Sequence, residues 1–243
     1  MHYYSLKVRY PKILELELKL QMTNRLHVAI AIAAIVCIIA FAASILVEHP
    51  PAPTVLAGVA AGDTFTYSIR GFATKIDANA TIPESTSELN NTEWYKVTIT
   101  DVNGSQVYFS STWRFLNGTE IQLTGKVDIE TGTGNSQDFW AIYASGLGVN
   151  DLTRPLRPSG HTINATETRA YKDGERDTNY VDFPERLRYD ADDLTRTITE
   201  YISVYFDKQT GMLVELRNSQ VYSYPEVLLV LEWKIIDSNV WDI

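Results

Sequence analysis

The chain has 243 residues, 45% hydrophobic and 21% charged, a composition that belongs to folded proteins and excludes bulk disorder. Thirty acidic residues against 21 basic ones leave a formal charge of −9. No basic stripe breaks this acidity, so nucleic acid is excluded as a partner. A single cysteine, Cys37, excludes an internal disulfide and any metal centre built on several thiolates, and no cofactor is expected.

The first feature in chain order is an uncharged apolar run, Val28 to Val47. At 1.5 Å rise per residue, twenty residues make about 30 Å of helix, the thickness of a hydrocarbon core. The preceding tail carries Lys7, Arg9, Lys12, Lys19 and Arg25 against Glu15 and Glu17, net +3, whereas everything after the run is net −12. The positive-inside rule therefore predicts a cytoplasmic segment over 1–27, a transmembrane signal-anchor over 28–47 and an exterior remainder, in a single-pass cell-membrane protein. Ala40-Phe41-Ala42 resembles a signal-peptidase site, so secretion after cleavage is the alternative. The apolar character persisting through Ile45, Leu46 and Val47 favours retention. Residues 48–62, opening on Glu48-His49-Pro50-Pro51-Ala52-Pro53, read as a Pro/Ala linker.

From 63 to 243 the pattern is that of an extracytoplasmic β domain. Phe65, Tyr67 and Ile69 alternate with polar residues, as do Tyr95, Val97 and Ile99. Hairpin turns are signalled at Asn103-Gly104, Asn117-Gly118, Lys172-Asp173-Gly174 and Asp207-Lys208-Gln209-Thr210-Gly211. Val227 to Ile236 is apolar on both faces, which suits a central strand. Nine or ten strands and almost no helix predict an all-β fold, an antiparallel sandwich or an open half-barrel. The one helical piece is expected between Phe183 and Leu194, where strand alternation is missing. Arg154 to Gly160, RPLRPSG, reads as a crossover within the domain.

Few residues suggest chemistry. Five Asn-x-Ser/Thr sequons, at Asn79, Asn90, Asn103, Asn117 and Asn164, all follow the apolar run, where twelve asparagines with random neighbours would give about two. They are candidate N-glycosylation sites on an exterior domain. The four histidines share no ligand spacing, and His161 reads as a surface or packing residue. Asp190-Ala191-Asp192-Asp193 fails the calcium-loop pattern, so no metal is expected. There is no nucleophile elbow, and Gly132-Thr133-Gly134-Asn135 lacks the following Lys-Ser/Thr of a phosphate loop, so no catalytic residue is assigned. Trp94 stands on the parity opposite to Tyr95, Val97 and Ile99, which points to a second buried face or else to a partner or sugar surface.

The succession Gly62-Asp63-x-Phe65-x-Tyr67, Trp94-Tyr95-Lys96-Val97, Asn117-Gly118-Thr119 and Tyr205-Phe206-Asp207-Lys208-x-Thr210-Gly211-Met212-Leu213-Val214-Glu215 resembles uncharacterised membrane-anchored or secreted β-rich surface proteins of archaea. The Asp-Lys-x-Thr-Gly hairpin also resembles one in lipoprotein-carrier half-barrels, a likeness that implies a concave face for a lipid or apolar ligand. The expected function is a non-enzymatic, membrane-anchored extracytoplasmic module binding a partner protein, an envelope component or an apolar ligand. The alternative is a cell-envelope hydrolase of glycans or peptides that uses acidic residues. Protease added to intact cells should cut within 63–243 only where that domain is unfolded or its loops are open, and should do so without lysis. Cleavage that requires lysis, with a denatured control, would reverse the topology.

Overall fold

The computed structural model describes residues 55–134, 139–157, 160–190 and 194–243. The tail over 1–27, the Val28–Val47 run and the start of the linker lie outside the described residues. No helix among the described residues is long and apolar enough to cross a membrane.

The alternating runs form ten strands: β1 (Thr64–Lys75), β2 (Thr92–Asn103), β3 (Gln106–Phe115), β4 (Glu120–Asp128), β5 (Ala165–Tyr171), β6 (Gly174–Asp182), β7 (Arg186–Tyr189), β8 (Thr197–Asp207), β9 (Leu213–Tyr222) and β10 (Val227–Ser238). All pairings are antiparallel, in one open sheet of order β4-β3-β2-β1-β10-β9-β8-β6-β5, with β7 added beside β8. The all-β expectation holds, but there is one sheet and not the two of a sandwich. The second layer is irregular chain, the crossover between β4 and β5. Its Ile129, Phe139, Ala141, Ile142, Tyr143, Ala144 and Ile163 are buried in one cluster with the inward side chains of β1, β2 and β3. The Phe139 ring meets Tyr67, Tyr95 and Phe109, one ring from each of these strands. Val227–Ile236 is central as expected, because β10 lies between β1 and β9.

The compact unit begins at Val55, ahead of the boundary that alternation places at 63. Val59 is buried, and the Leu56 carbonyl accepts hydrogen bonds from the Ser145 backbone and hydroxyl. β2 pairs with β1 only over Thr64–Tyr67 and then departs. A short helix α1 (Ser85–Asn90) covers the vacated stretch. The Asn90 side chain accepts from the Gly71 N–H at 2.9 Å and donates to its carbonyl at 2.8 Å, an amide standing in for the missing strand.

The helix expected between Phe183 and Leu194 is not there, since that segment contains β7. Its alternation is inverted: Leu187 and Tyr189 face solvent, while Arg188 turns toward Glu200 at 2.8 Å. A charge that can be paired inside removes the usual apolar signature of a strand.

All four predicted hairpins form, with Gly104, Gly118, Gly174 and Gly211 at positive φ. The last is the most constrained. Asp207 accepts from the Thr210 backbone and hydroxyl and from Arg176 Nε and Nη2, at 2.7 to 2.9 Å. Gly211 sits at φ +73°, its carbonyl accepts the Tyr143 N–H, and a Cβ there would run into the Tyr143 carbonyl. Gly211→Val should therefore cost at least about 3 kcal/mol, from backbone strain and displacement of the crossover together. Gln209→Val at the exposed tip should stay within about 0.5 kcal/mol. Denaturant midpoints of the two variants check this, and equal midpoints would contradict it.

Candidate functional site

The crossover makes a pocket as it turns. Leu152 bridges to Thr162, and the Thr153 backbone and hydroxyl both donate to the His161 carbonyl, closing an excursion between them. Within it Arg154-Pro155-Leu156-Arg157 is a β-turn, with the Arg157 N–H donating to the Arg154 carbonyl at 2.9 Å and Pro155 at the position where a fixed φ suits the turn. Arg154, Arg157 and His161 are thereby gathered on one side of Trp140, Tyr143 and Phe183, around a cavity of about 130 Å³. The rings form a chain of edge-to-face contacts: Trp140 on Tyr143, Trp140 on Phe183, and His161 on Phe183 at 4.7 Å. His161 is thus a packing histidine that also lines a pocket.

Arg154 is the unusual member. It is 6% exposed, and burial lowers its pKa from the ordinary value. Its Nη1 donates to the carbonyls of Ile142 and, at 3.5 Å, Ile129; its Nη2 donates to Trp140 at 2.9 Å. The guanidinium lies 4.4 Å from the centre of the Tyr143 ring, and Tyr143 stacks in turn on Phe206 at 4.2 Å. Burial pushes the Tyr143 hydroxyl up to about 12, and that hydroxyl has no hydrogen-bond partner among the described residues. Among the described residues no carboxylate bonds Arg154. Asp128 is the acid whose charge favours the guanidinium, but its oxygens are taken by Ser105, Gln106 and the N–H groups of Glu130 and Thr131. Burial opposes ionisation of Asp128, yet these bonds outweigh it and hold its pKa below the usual carboxylate value.

The sequence-derived candidates lie elsewhere. All five sequon asparagines are exposed. Asn117 and Asn164 use only the side-chain oxygen, accepting from the Thr119 and Asp182 N–H groups, whereas Asn90 holds Gly71 with both ends of its amide. Asp192 and Asp193 lie outside the described residues, and Asp190 stands 3.9 Å from Arg196. Among the described residues no group of three or more His, Cys, Asp or Glu side chains could hold a metal ion. Trp94 is half-buried on the outer face, with Lys96 and Arg114 over its ring. An open depression of about 720 Å³ brings Glu175 and Asp177 together beside Lys208, and Thr168 Oγ1 donates to Asp177. The Arg154 pocket carries no sequence motif. Its one signal was the RPLRPSGH run, two arginines and a histidine spaced by prolines.

No protein-family model matches the chain, and a search of curated proteins finds no match.

Arg154→Met should destabilise the domain by about 2–4 kcal/mol, because buried carbonyls lose their donor while the cost of burying the charge is recovered only in part. Arg157→Gln, on an exposed side chain with no ion pair among the described residues, should stay within about 0.5 kcal/mol. Urea midpoints at unchanged m-value check both.

Proposed function

We propose that the chain is a non-enzymatic, membrane-anchored extracytoplasmic β module that binds an acidic group of a partner protein or envelope component at the pocket of Arg154, Arg157 and His161. The single observation that carries this reading is Arg154, a buried guanidinium that no carboxylate among the described residues bonds, at the floor of a pocket whose lining has two arginines and a histidine and no acid. The open sheet is compatible with the half-barrel likeness. An apolar ligand on its inner face, however, would have to displace Phe139 and Ile142, which already fill that face. A glycan hydrolase needs one carboxylic acid kept neutral by its surroundings. Glu175 and Asp177 are instead both exposed in an open depression.

A panel of ring-bearing carboxylates, phosphates and sulfates, with their neutral amides or alcohols as controls, tests the reading by thermal denaturation of the full chain. Anions that bind should raise Tm, by about 2.7 kcal/mol of added stability at a hundred times Kd, and the neutral analogues should not. A panel without effect, or release of cleavage products from wall glycan or peptide incubated with the chain, would overturn it.

A further inference from the structure

We infer that the group this pocket takes is a carboxylate carried on a flat ring, held by the Nε–H and Nη2–H edge of Arg154 with the ring against the exposed face of Trp140. The inference rests on the reading of the pocket as an anion site and specifies its ligand class.

The donor inventory leads to the carboxylate. A guanidinium has five N–H donors, and backbone carbonyls take two at Nη1 and one at Nη2. The Nε–H and one Nη2–H are left without an acceptor among the described residues, on a side chain that is 6% exposed. Two donors on adjacent nitrogens of a planar fork match the two coplanar oxygens of a carboxylate. Gly132 lets the chain pack closely on the Arg154 side chain, since a Cβ there would stand 3.0 Å from Nε, 3.2 Å from Cδ and 3.3 Å from Cγ.

The same chain shows what a completed version looks like. Arg176 also lies over a ring, 4.5 Å from the centre of Trp241, and its Nε and Nη2 each donate at 2.9 Å to the two oxygens of Asp207. Arg154 has the ring and, among the described residues, lacks the acid. An external carboxylate would complete it with the geometry the protein already uses inside.

The walls specify the ring. The cavity, about 130 Å³, is close to the roughly 150 Å³ in which an apolar cavity takes benzene. Trp140 and Phe183 stand nearly perpendicular, at 87°, and Trp140 is 41% exposed, so an aromatic face is available at the mouth. Arg157, exposed on the rim, adds a second positive charge.

Isothermal titration of the full chain in detergent with benzoate, phenyl phosphate, glucuronate and benzamide tests the inference. Benzoate should bind saturably, one per chain, with a Kd on the order of 1 mM or tighter. Phenyl phosphate should bind no more tightly, and benzamide, which has no charge to pair, should not bind. Arg157→Gln, which leaves the floor intact, should weaken benzoate by about threefold to tenfold. Arg154→Lys keeps the charge without the fork and should lose benzoate binding; should that variant fail to fold, Arg157→Gln alone decides. Glucuronate tighter than benzoate would show that a sugar ring carries the carboxylate and would overturn the flat-ring part. Phenyl phosphate tighter than benzoate would overturn the carboxylate while leaving an anion-binding module. Binding that Arg157→Gln does not change would place the anion elsewhere and overturn the inference. If none of the anions binds, the inference and the proposed function fall together.

Discussion

An irregular chain laid against the buried face of a sheet brings its own carbonyls into the core, and every one of them needs a donor. This constraint governs the crossover between β4 and β5. Strand-like pairing satisfies part of it, since Ile142 bridges to Met212 and the Tyr143 N–H reaches the Gly211 carbonyl. Arg154 satisfies more, supplying donors to Ile129, Trp140 and Ile142 from a single side chain. No neutral residue offers as many donors at one point. The positive charge comes with them. A guanidinium used for its hydrogen bonds leaves a buried cation to be balanced, so the pocket is a consequence of how the core is closed.

Four other arginines are treated differently. Arg114, Arg169, Arg176 and Arg188 all meet carboxylates at 2.8 to 3.2 Å, as expected where acidic residues are in excess. Several arginines also lie over rings, among them Arg169 on Tyr205 and Arg196 on Tyr222. Where a ring and a carboxylate act on one guanidinium, the ring restricts its orientation and the acid balances its charge. Among the described residues only the ring is in place at Arg154. That difference, more than the size of the cavity, distinguishes the pocket from the wider Glu175 depression, whose polar groups stand in water and need nothing from a ligand.

The strands were legible because their signals are local. Alternation at Phe65-Tyr67-Ile69 and glycine after asparagine or aspartate at the turns depend on a few neighbouring residues, and each had its structural counterpart. β7 was misread for a tertiary reason: the inward Arg188 is tolerable only because Glu200, on another strand, is there to meet it. The missing second sheet has the same cause. Nothing in the run around Phe139–Ala144 distinguishes a filling segment from a strand until Met212 and Gly211 are placed opposite it. The pocket was illegible in principle as well as in practice, because Arg154 and Arg157 become a site only when the Arg154–Arg157 turn sets them against Trp140 and Phe183. Proline spacing announced the turn but not what it would face.

An open sheet would ordinarily bind a partner by lending it an edge. The two end strands here are guarded against that, whereas β7, paired only with β8, keeps a free edge four residues long. β5 is seven residues long and carries Glu167 and Arg169, the latter committed to Glu215. On β4, Glu120 is tied to Arg114, and the Lys126 ammonium lies over the Tyr108 ring, so charge is fixed along the strand. Charges along these two strands disfavour an added strand there. The fold has unsatisfied groups to offer elsewhere. On the described surface, the inward-facing donors of Arg154 are such groups, and they open beside the loops of the crossover.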